Sequence, residues 1–169
     1  MRDYYKTRIW ALKSKRIHDN LYSDTFYSSL SSVRGYTCFQ LLAFKKTKLV
    51  KIILMRRESQ ASEAYEDVIR SIGTPIKTIT DISRAQTDSK WTNINRRCCI
   101  ETGLTVPHHQ HQNYSENEGG NFKFKVLKLL QNTTHAPTLY WCYATEFLDQ
   151  VASYLSKRIL RNRAPLEKP

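Results

Sequence analysis

The sequence contains few of the residues that mark fibrous, low-complexity or disulfide-linked chains. Its 169 residues include five glycines, five prolines and four cysteines. Because glycine and proline are scarce, a collagen-like or low-complexity chain is excluded. The cysteines are spaced neither as a C-x-x-C metal pair nor as a secreted disulfide scaffold, and no histidine lies at zinc-finger distance from a cysteine pair. We therefore expect reduced thiols and no zinc site; the cysteines are Cys38, Cys98, Cys99 and Cys142.

Long apolar runs are also missing. No stretch approaches the roughly 20 consecutive apolar residues of a membrane-spanning helix, and residues 1–5 lack the apolar block of a signal peptide. A soluble intracellular protein, in the nucleus or the cytoplasm and without a membrane partner, is the expectation. Apolar residues make up 40% of the chain, which is enough for one globular core.

Acidic residues are few, at 15 against 27 lysines and arginines, which gives a formal net charge of +12. The excess lies at the ends, because residues 1–18 carry +5, residues 157–169 carry +4 and the part between them only +3. Basic flanks suit a polyanion such as DNA, but they also suit a solvated surface or an acidic membrane. We therefore predict a basic extension over residues 1–18, a core domain over 19–160 and a basic tail over 161–169.

The pattern of apolar residues predicts alternating strands and helices after three opening strands. A basic turn at residues 45–48 favours an antiparallel hairpin. Strands are predicted over residues 21–27, 36–44, 49–55, 76–80 and 104–106, and helices over 59–71, 89–102 and 138–159. Residues 108–121 are predicted to form a loop that leads into a helix through Phe122, Val126 and Leu130. This order predicts an α/β fold of the ribonuclease-H-like kind, with a mixed five-stranded sheet and helices on both faces.

Three acidic residues stand out by their placement. Asp24 lies within a predicted strand, Asp81 follows another strand, and Glu116 stands where a helix is about to begin. Carboxylates held on rigid backbone are what a pair of Mg²⁺ ions about 4 Å apart requires. Most of the other central acids, Asp149 among them, are expected to be solvated charges on helices or loops.

These residues belong to segments that resemble the retroviral-type integrases of copia-like LTR retrotransposons, especially the diatom-like branch. The resemblance covers roughly residues 18–160, and the segments occur in the order of that family. The separation of 35 residues between Asp81 and Glu116 matches the family's spacing. The carrying segments are Ser23-Asp24-Thr25-Phe26-Tyr27-Ser28, Gly35-Tyr36-Thr37, Met55-Arg56-Arg57-Glu58-Ser59, Gly73-Thr74-Pro75, Thr80-Asp81 and the run from Pro107 through His108, His109, His111, Gln112 and Asn113 to Glu116.

The resemblance implies an integrase catalytic core that processes DNA 3′ ends and joins them to target DNA. Asp24, Asp81 and Glu116 would then be its D,D-35-E triad, binding two Mg²⁺ or Mn²⁺ ions. Lys123, two helical turns after Glu116, resembles a lysine that contacts DNA, and Gln112 and Asn113 would position the helix or touch DNA. DNA is the implied partner, a homo-oligomer is an open expectation, and no small-molecule cofactor is implied.

The sequence departs from the family pattern at several positions. Ile82 replaces the usual asparagine after the second acid, Tyr114-Ser115 replaces a small apolar pair, and Gly119-Gly120 falls in the first turns of the expected helix. Glu118 is an alternative third ligand. A truncated or degenerate copy is one interpretation, and a catalytically inactive nucleic-acid-binding remnant is the alternative function. A ribonuclease-H hydrolase acting on RNA in hybrids is a third hypothesis.

The same resemblance carries two further expectations. The zinc module of such integrases would precede residue 1, and their DNA-binding domain would follow residue 169. His108, His109 and His111 are expected to be structural or close to DNA and not to bind a metal.

Overall fold

The protein is described from a computed structural model over residues 15–80, 88–104, 114–155, 160 and 163–165. Five strands and four α-helices follow one another in this part of the chain. Short 3₁₀ helices, Glu58–Gln60 and Thr138–Tyr140, precede the first and last helix, and a π-helical segment, Leu129–Thr134, extends the third. The elements are β1 (Arg16–Tyr27), β2 (Cys38–Phe44), β3 (Val50–Met55), α1 (Ala61–Ser71), β4 (Thr74–Thr80), α2 (Ser89–Cys98), β5 (Glu101–Leu104), α3 (Tyr114–Lys128) and α4 (Trp141–Tyr154).

The strands form one mixed sheet in the order β3-β2-β1-β4-β5. Strands β1, β2 and β3 pair antiparallel, whereas β4 pairs parallel with both β1 and β5. The hairpin predicted around residues 45–48 is confirmed as the turn between β2 and β3. Since β1 lies at the centre of the sheet, helices on either face can approach its residues.

Helices cover both faces of the sheet, as the sequence predicted. One apolar core packs α1 and α2 against one face, and a second packs α3 and α4 against the other. Strand β2 separates the two cores, and all seven of its residues are buried. A strand buried on both sides needs a continuous apolar run, which explains the sequence of β2.

A buried carboxylate fixes the hairpin turn. Asp19 on β1 is 2% exposed, and its Oδ2 atom accepts hydrogen bonds from the backbone N–H groups of Lys46 at 2.8 Å and Thr47 at 2.9 Å. The next turn residue, Lys48, adopts a left-handed conformation with φ of 58°. Asp19 therefore supplies acceptors for N–H groups that the turn would otherwise leave unpaired.

The structure corrects several predicted boundaries. The strand predicted over residues 21–27 begins earlier, at Arg16. The helix predicted over residues 89–102 ends at Cys98, because Cys99 adopts a left-handed conformation that caps it. Residues 101–104 then extend and pair with β4 as β5. Residues 114–121, predicted as loop, form the first two turns of α3.

The helix predicted over residues 138–159 is confirmed in its central part, Trp141–Tyr154. It brings Asp149, expected to be a solvated charge, against the edge of the sheet. The Asp149 carboxylate accepts hydrogen bonds from Lys51 Nζ and from the backbone N–H of Ile52, both at 3.0 Å. Burial raises the pKa of this carboxyl, and the Lys51 ammonium opposes that shift.

All four cysteines are free thiols, and Cys99 is the exposed one. None of the helices that the structure describes is long and apolar enough to cross a membrane.

Candidate active site

Asp24 lies in the middle of the central strand, on the face that α3 covers. Alternate residues of a strand point to the same side, so Tyr22, Asp24 and Phe26 share that face. The Asp24 side chain is half-buried, and its Oδ1 atom accepts a hydrogen bond of 2.8 Å from the backbone N–H of Thr25. A rigid central strand therefore holds this carboxylate at the edge of solvent.

The first half of α3 lies along the same stretch of β1. At one end, the rings of Tyr22 and Tyr114 meet edge to face with centroids 5.4 Å apart. At the other end, Lys123 Nζ stands 4.8 Å from the centroid of the Phe26 ring. Asp24 lies between these two contacts along the strand, and Glu116 lies between them along the helix.

Gly119 permits this close approach of helix and strand. A Cβ atom at Gly119 would lie 1.9 Å from Cζ of Phe26 and 2.4 and 2.6 Å from two further ring atoms. Next to it, a Cβ atom at Gly120 would meet nothing within 4 Å. The Gly119-Gly120 pair, which predicted a poor helix start, thus contains one glycine that the packing requires.

Glu116 stands in the first turn of α3 and is exposed. A carboxylate at this position interacts favourably with the positive end of the helix dipole. Lys123 follows seven residues later on nearly the same side of the helix, because seven residues make about two turns. Glu118 lies close to the hydroxyl of Tyr114, and burial together with this carboxylate raises the pKa of that tyrosine.

A network of buried polar side chains holds β1 from the opposite face. Gln40 on β2 is fully buried; its Nε2 donates to Ser23 Oγ at 2.6 Å, and its Oε1 accepts from Thr25 Oγ1 at 2.7 Å. Ser23 and Thr25 flank Asp24, so the network fixes the backbone on both sides of it. Sequence reasoning missed Gln40, although a single glutamine within an apolar strand signals a buried polar contact.

The parallel register brings the end of β4 to the same place. Ser23 pairs with Thr80, so the chain leaves β4 beside Asp24. Asp81, the predicted second acid, lies outside the described residues, and so do Ile82, Gln112, Asn113 and the three histidines at 108, 109 and 111.

Comparison with known proteins identifies the fold. No protein-family profile and no curated protein matches the sequence. Among solved structures, the HTLV-2 integrase catalytic core domain in complex with magnesium, in its trimeric form, superposes with a TM-score of 0.69 at 14% identity, over 89% of this chain and 95% of that one. This chain has the ribonuclease-H-like fold of an integrase catalytic core.

Two further structures share the integrase-core fold. The dimeric form of the same HTLV-2 domain gives a TM-score of 0.67 at 13% identity, over 89% of this chain and 94% of that one. A simian T-cell lymphotropic virus intasome in complex with PP2A regulatory subunit B56 gamma gives 0.72 at 13% identity. In that case the match covers 89% of this chain but 54% of the other, so the integrase-core fold accounts for about half of the longer protein.

The donor chemistry of the site suits a hard divalent cation. Asp24 and Glu116 offer carboxylate oxygens, the ligands that Mg²⁺ and Mn²⁺ prefer. Within the part of the chain that the structure describes, no three acidic, histidine or cysteine side chains come together in a metal-binding group.

Proposed function

We propose that this protein is a metal-dependent polynucleotidyl transferase that acts in DNA integration, as the catalytic core of a copia-like LTR retrotransposon integrase of the diatom-like branch. The observation that supports the proposal best is the packing of α3 on β1. It brings the backbone around Asp24 next to the turn that carries Glu116. The fold shared with integrase cores and the resemblance of the sequence segments support it independently.

Asp24, Asp81 and Glu116 are the side chains that would hold the metal. Asp24 and the end of β4 are neighbours through the Ser23–Thr80 pair. Glu116 lies about two turns before Lys123, and Lys123 stands over Phe26, two residues beyond Asp24. The part of α3 that precedes Lys123, which carries Glu116, therefore runs along β1 toward Asp24.

The residues of this chain supply positioning and charge. Two bound Mg²⁺ or Mn²⁺ ions would activate the attacking oxygen and stabilise the leaving oxygen of an in-line displacement at a phosphodiester. Asp24 and Glu116 would hold the metal, and Gln40 keeps the backbone on both sides of Asp24 in place. Lys123 offers its ammonium to a DNA phosphate, and Gln112 and Asn113 are proposed to contact DNA ahead of α3. Water is the nucleophile in 3′ processing, and the new 3′-hydroxyl is the nucleophile in strand transfer.

The assay is joining of labelled terminal-repeat DNA in the presence of Mn²⁺. Asp24→Asn and Glu116→Gln are expected to abolish joining while the protein stays folded. Glu118→Gln is the matched control, since it removes a carboxylate from the same helix turn and is expected to keep activity. Full joining by Asp24→Asn or Glu116→Gln would refute the proposal, and loss in Glu118→Gln alone would move the third ligand to Glu118.

Two competing functions give different results. A catalytically inactive nucleic-acid-binding remnant, which the basic ends of the chain and Ile82 favour, would bind DNA in a salt-dependent way and show no saturable Mg²⁺ binding. A ribonuclease-H hydrolase would cleave RNA in an RNA–DNA hybrid and would not join DNA. The hybrid-cleavage assay separates that hydrolase from an integrase.

A homo-oligomer belongs to the same proposal. Large apolar side chains are exposed along α4 and the segment before it, with Tyr143 at 50%, Phe147 at 54% and Tyr154 at 72%. The related HTLV-2 core was solved in dimeric and trimeric forms. Sedimentation of the purified protein tests this, and Phe147→Glu is expected to give a monomer. The nucleus or the cytoplasm is the proposed compartment.

A further inference from the structure

A cavity of about 190 Å³ opens at the end of β1, between α3 and the start of α4. Its walls are mainly aromatic and aliphatic and include Tyr27, Phe39, Val126 and Trp141. Asp24 does not line it. The cavity is thus separate from the candidate metal site but lies on the same face of the sheet, about two to three helix turns beyond Glu116 along α3.

A buried hydroxyl group lies in the wall of this cavity. Thr145 is 1% exposed, and its Oγ1 atom has no hydrogen-bond partner among the described residues. A helical threonine usually bonds to a carbonyl of the preceding turn. Because a buried polar atom without a partner is costly, this hydroxyl needs a partner that the described residues do not supply, such as a water or a bound molecule.

A lysine stands at the rim. Lys123 lines the cavity, and its ammonium lies 4.8 Å from the centroid of the Phe26 ring. The lysine side chain is exposed, so the ammonium can still meet an anion from solvent. The cavity therefore offers apolar walls that include the exposed Tyr27 side chain, one buried hydroxyl and one cation at the mouth.

We propose that this cavity binds a single unstacked nucleotide of the DNA substrate. Its base would stack on the aromatic wall with an edge toward the Thr145 hydroxyl, and its phosphate would meet Lys123. Aromatic walls suit bases of any sequence, because every base presents a flat face. A volume of about 190 Å³ is large enough for one base. This inference rests on the proposed function, since it requires that DNA bind across the face that carries Asp24.

The experiment measures the affinity of the protein for two duplexes by fluorescence anisotropy. One duplex ends in an unpaired adenine nucleotide, and the other carries an abasic residue at the same position. The protein is expected to prefer the adenine duplex by between about fivefold and 150-fold, the range for stacking one base on an aromatic side chain. Equal affinities would overturn the inference.

Matched variants locate the effect. Ser29 lines the mouth of the cavity, whereas Ser31 lies in the same loop and does not line it, and both are exposed. Ser29→Leu is expected to bring the ratio of the affinities for the adenine and abasic duplexes close to one. Ser31→Leu is expected to leave that ratio unchanged. Thr145→Val, which removes only the hydroxyl, is expected to lower the preference and to leave binding of the abasic duplex unchanged. A preference that survives Ser29→Leu would place the base elsewhere and overturn the assignment.

The two proposals fail in different ways. If the protein binds both duplexes equally and releases them at high salt, the cavity inference fails and DNA binding stands. If it binds neither duplex at any salt concentration, both fail.

Discussion

Replacing Gly119 by alanine tests the packing on which the site depends. An alanine in a helix interior is favoured over glycine by about 0.8–1 kcal/mol. At Gly119, however, the new methyl group would lie 1.9 Å from Cζ of Phe26. The Phe26 ring has little freedom to move, because it stacks on Phe39 with centroids 5.3 Å apart and lies beneath Lys123. Overpacking of this kind costs about 1–3 kcal/mol, and a contact this short belongs at the upper end.

Gly119→Ala is therefore expected to lower the free energy of unfolding by about 2 kcal/mol, which lowers Tm by roughly 4–8 °C in a chain of this size. Gly120→Ala is the control, since nothing lies within 4 Å of its Cβ position. It should raise Tm by roughly 2–4 °C. Thermal unfolding followed by circular dichroism measures both.

A double variant locates the clash. In a Phe26→Ala background the obstacle is gone, so Gly119→Ala should become stabilising there, and the two substitutions should be strongly non-additive. If Gly119→Ala and Gly120→Ala stabilise the native protein equally, α3 does not lie against Phe26, and the placement of Glu116 near Asp24 loses its support.

Two further predictions concern polar groups that hold the sheet. Gln40→Leu should cost about 1–3 kcal/mol in urea unfolding, because it leaves the hydroxyls of Ser23 and Thr25 without their buried partner; an unchanged midpoint would show that the network is not stabilising. For Asp149, the raised pKa means that the folded protein holds the proton more tightly than the unfolded chain. The contribution of Asp149 to the free energy of unfolding is therefore largest below the pKa that it has in the unfolded chain, and it declines as pH rises through the pKa in the folded protein. The free energy of unfolding of the native protein, measured relative to that of Asp149→Asn, should therefore fall from acid toward neutral pH. A difference that grows over that range would contradict the assigned direction.

The order of strands and helices along the chain follows from residue patterns that are local. The apolar run of β2 and the basic turn after it predict an antiparallel hairpin, because a strand buried on both faces is a continuous apolar run. Helix α1 follows from apolar residues at helical spacing that end before Gly73. Such features are set by neighbours in the chain, so a single sequence reveals them.

What the sequence did not predict depends on contacts between distant segments. The start of α3 contains two glycines and was predicted as loop, because the need for a glycine against Phe26 exists only once helix and strand meet. Similarly, the sequence predicts a solvated Asp149, because the contact of its carboxylate with β3 exists only where α4 packs on the sheet. The assignment of Asp24, Asp81 and Glu116 as metal ligands rests on their positions in the sequence and on the family resemblance, and their convergence at one site stays a prediction.

The central claim is that Asp24, Asp81 and Glu116 together hold divalent metal, and titration calorimetry with Mn²⁺ tests it most directly. The native protein should show saturable binding that Asp24→Asn, Asp81→Asn and Glu116→Gln each weaken severely and that Glu118→Gln leaves intact. Binding that is absent from the native protein, or that persists unchanged in all three triad variants, would contradict the account.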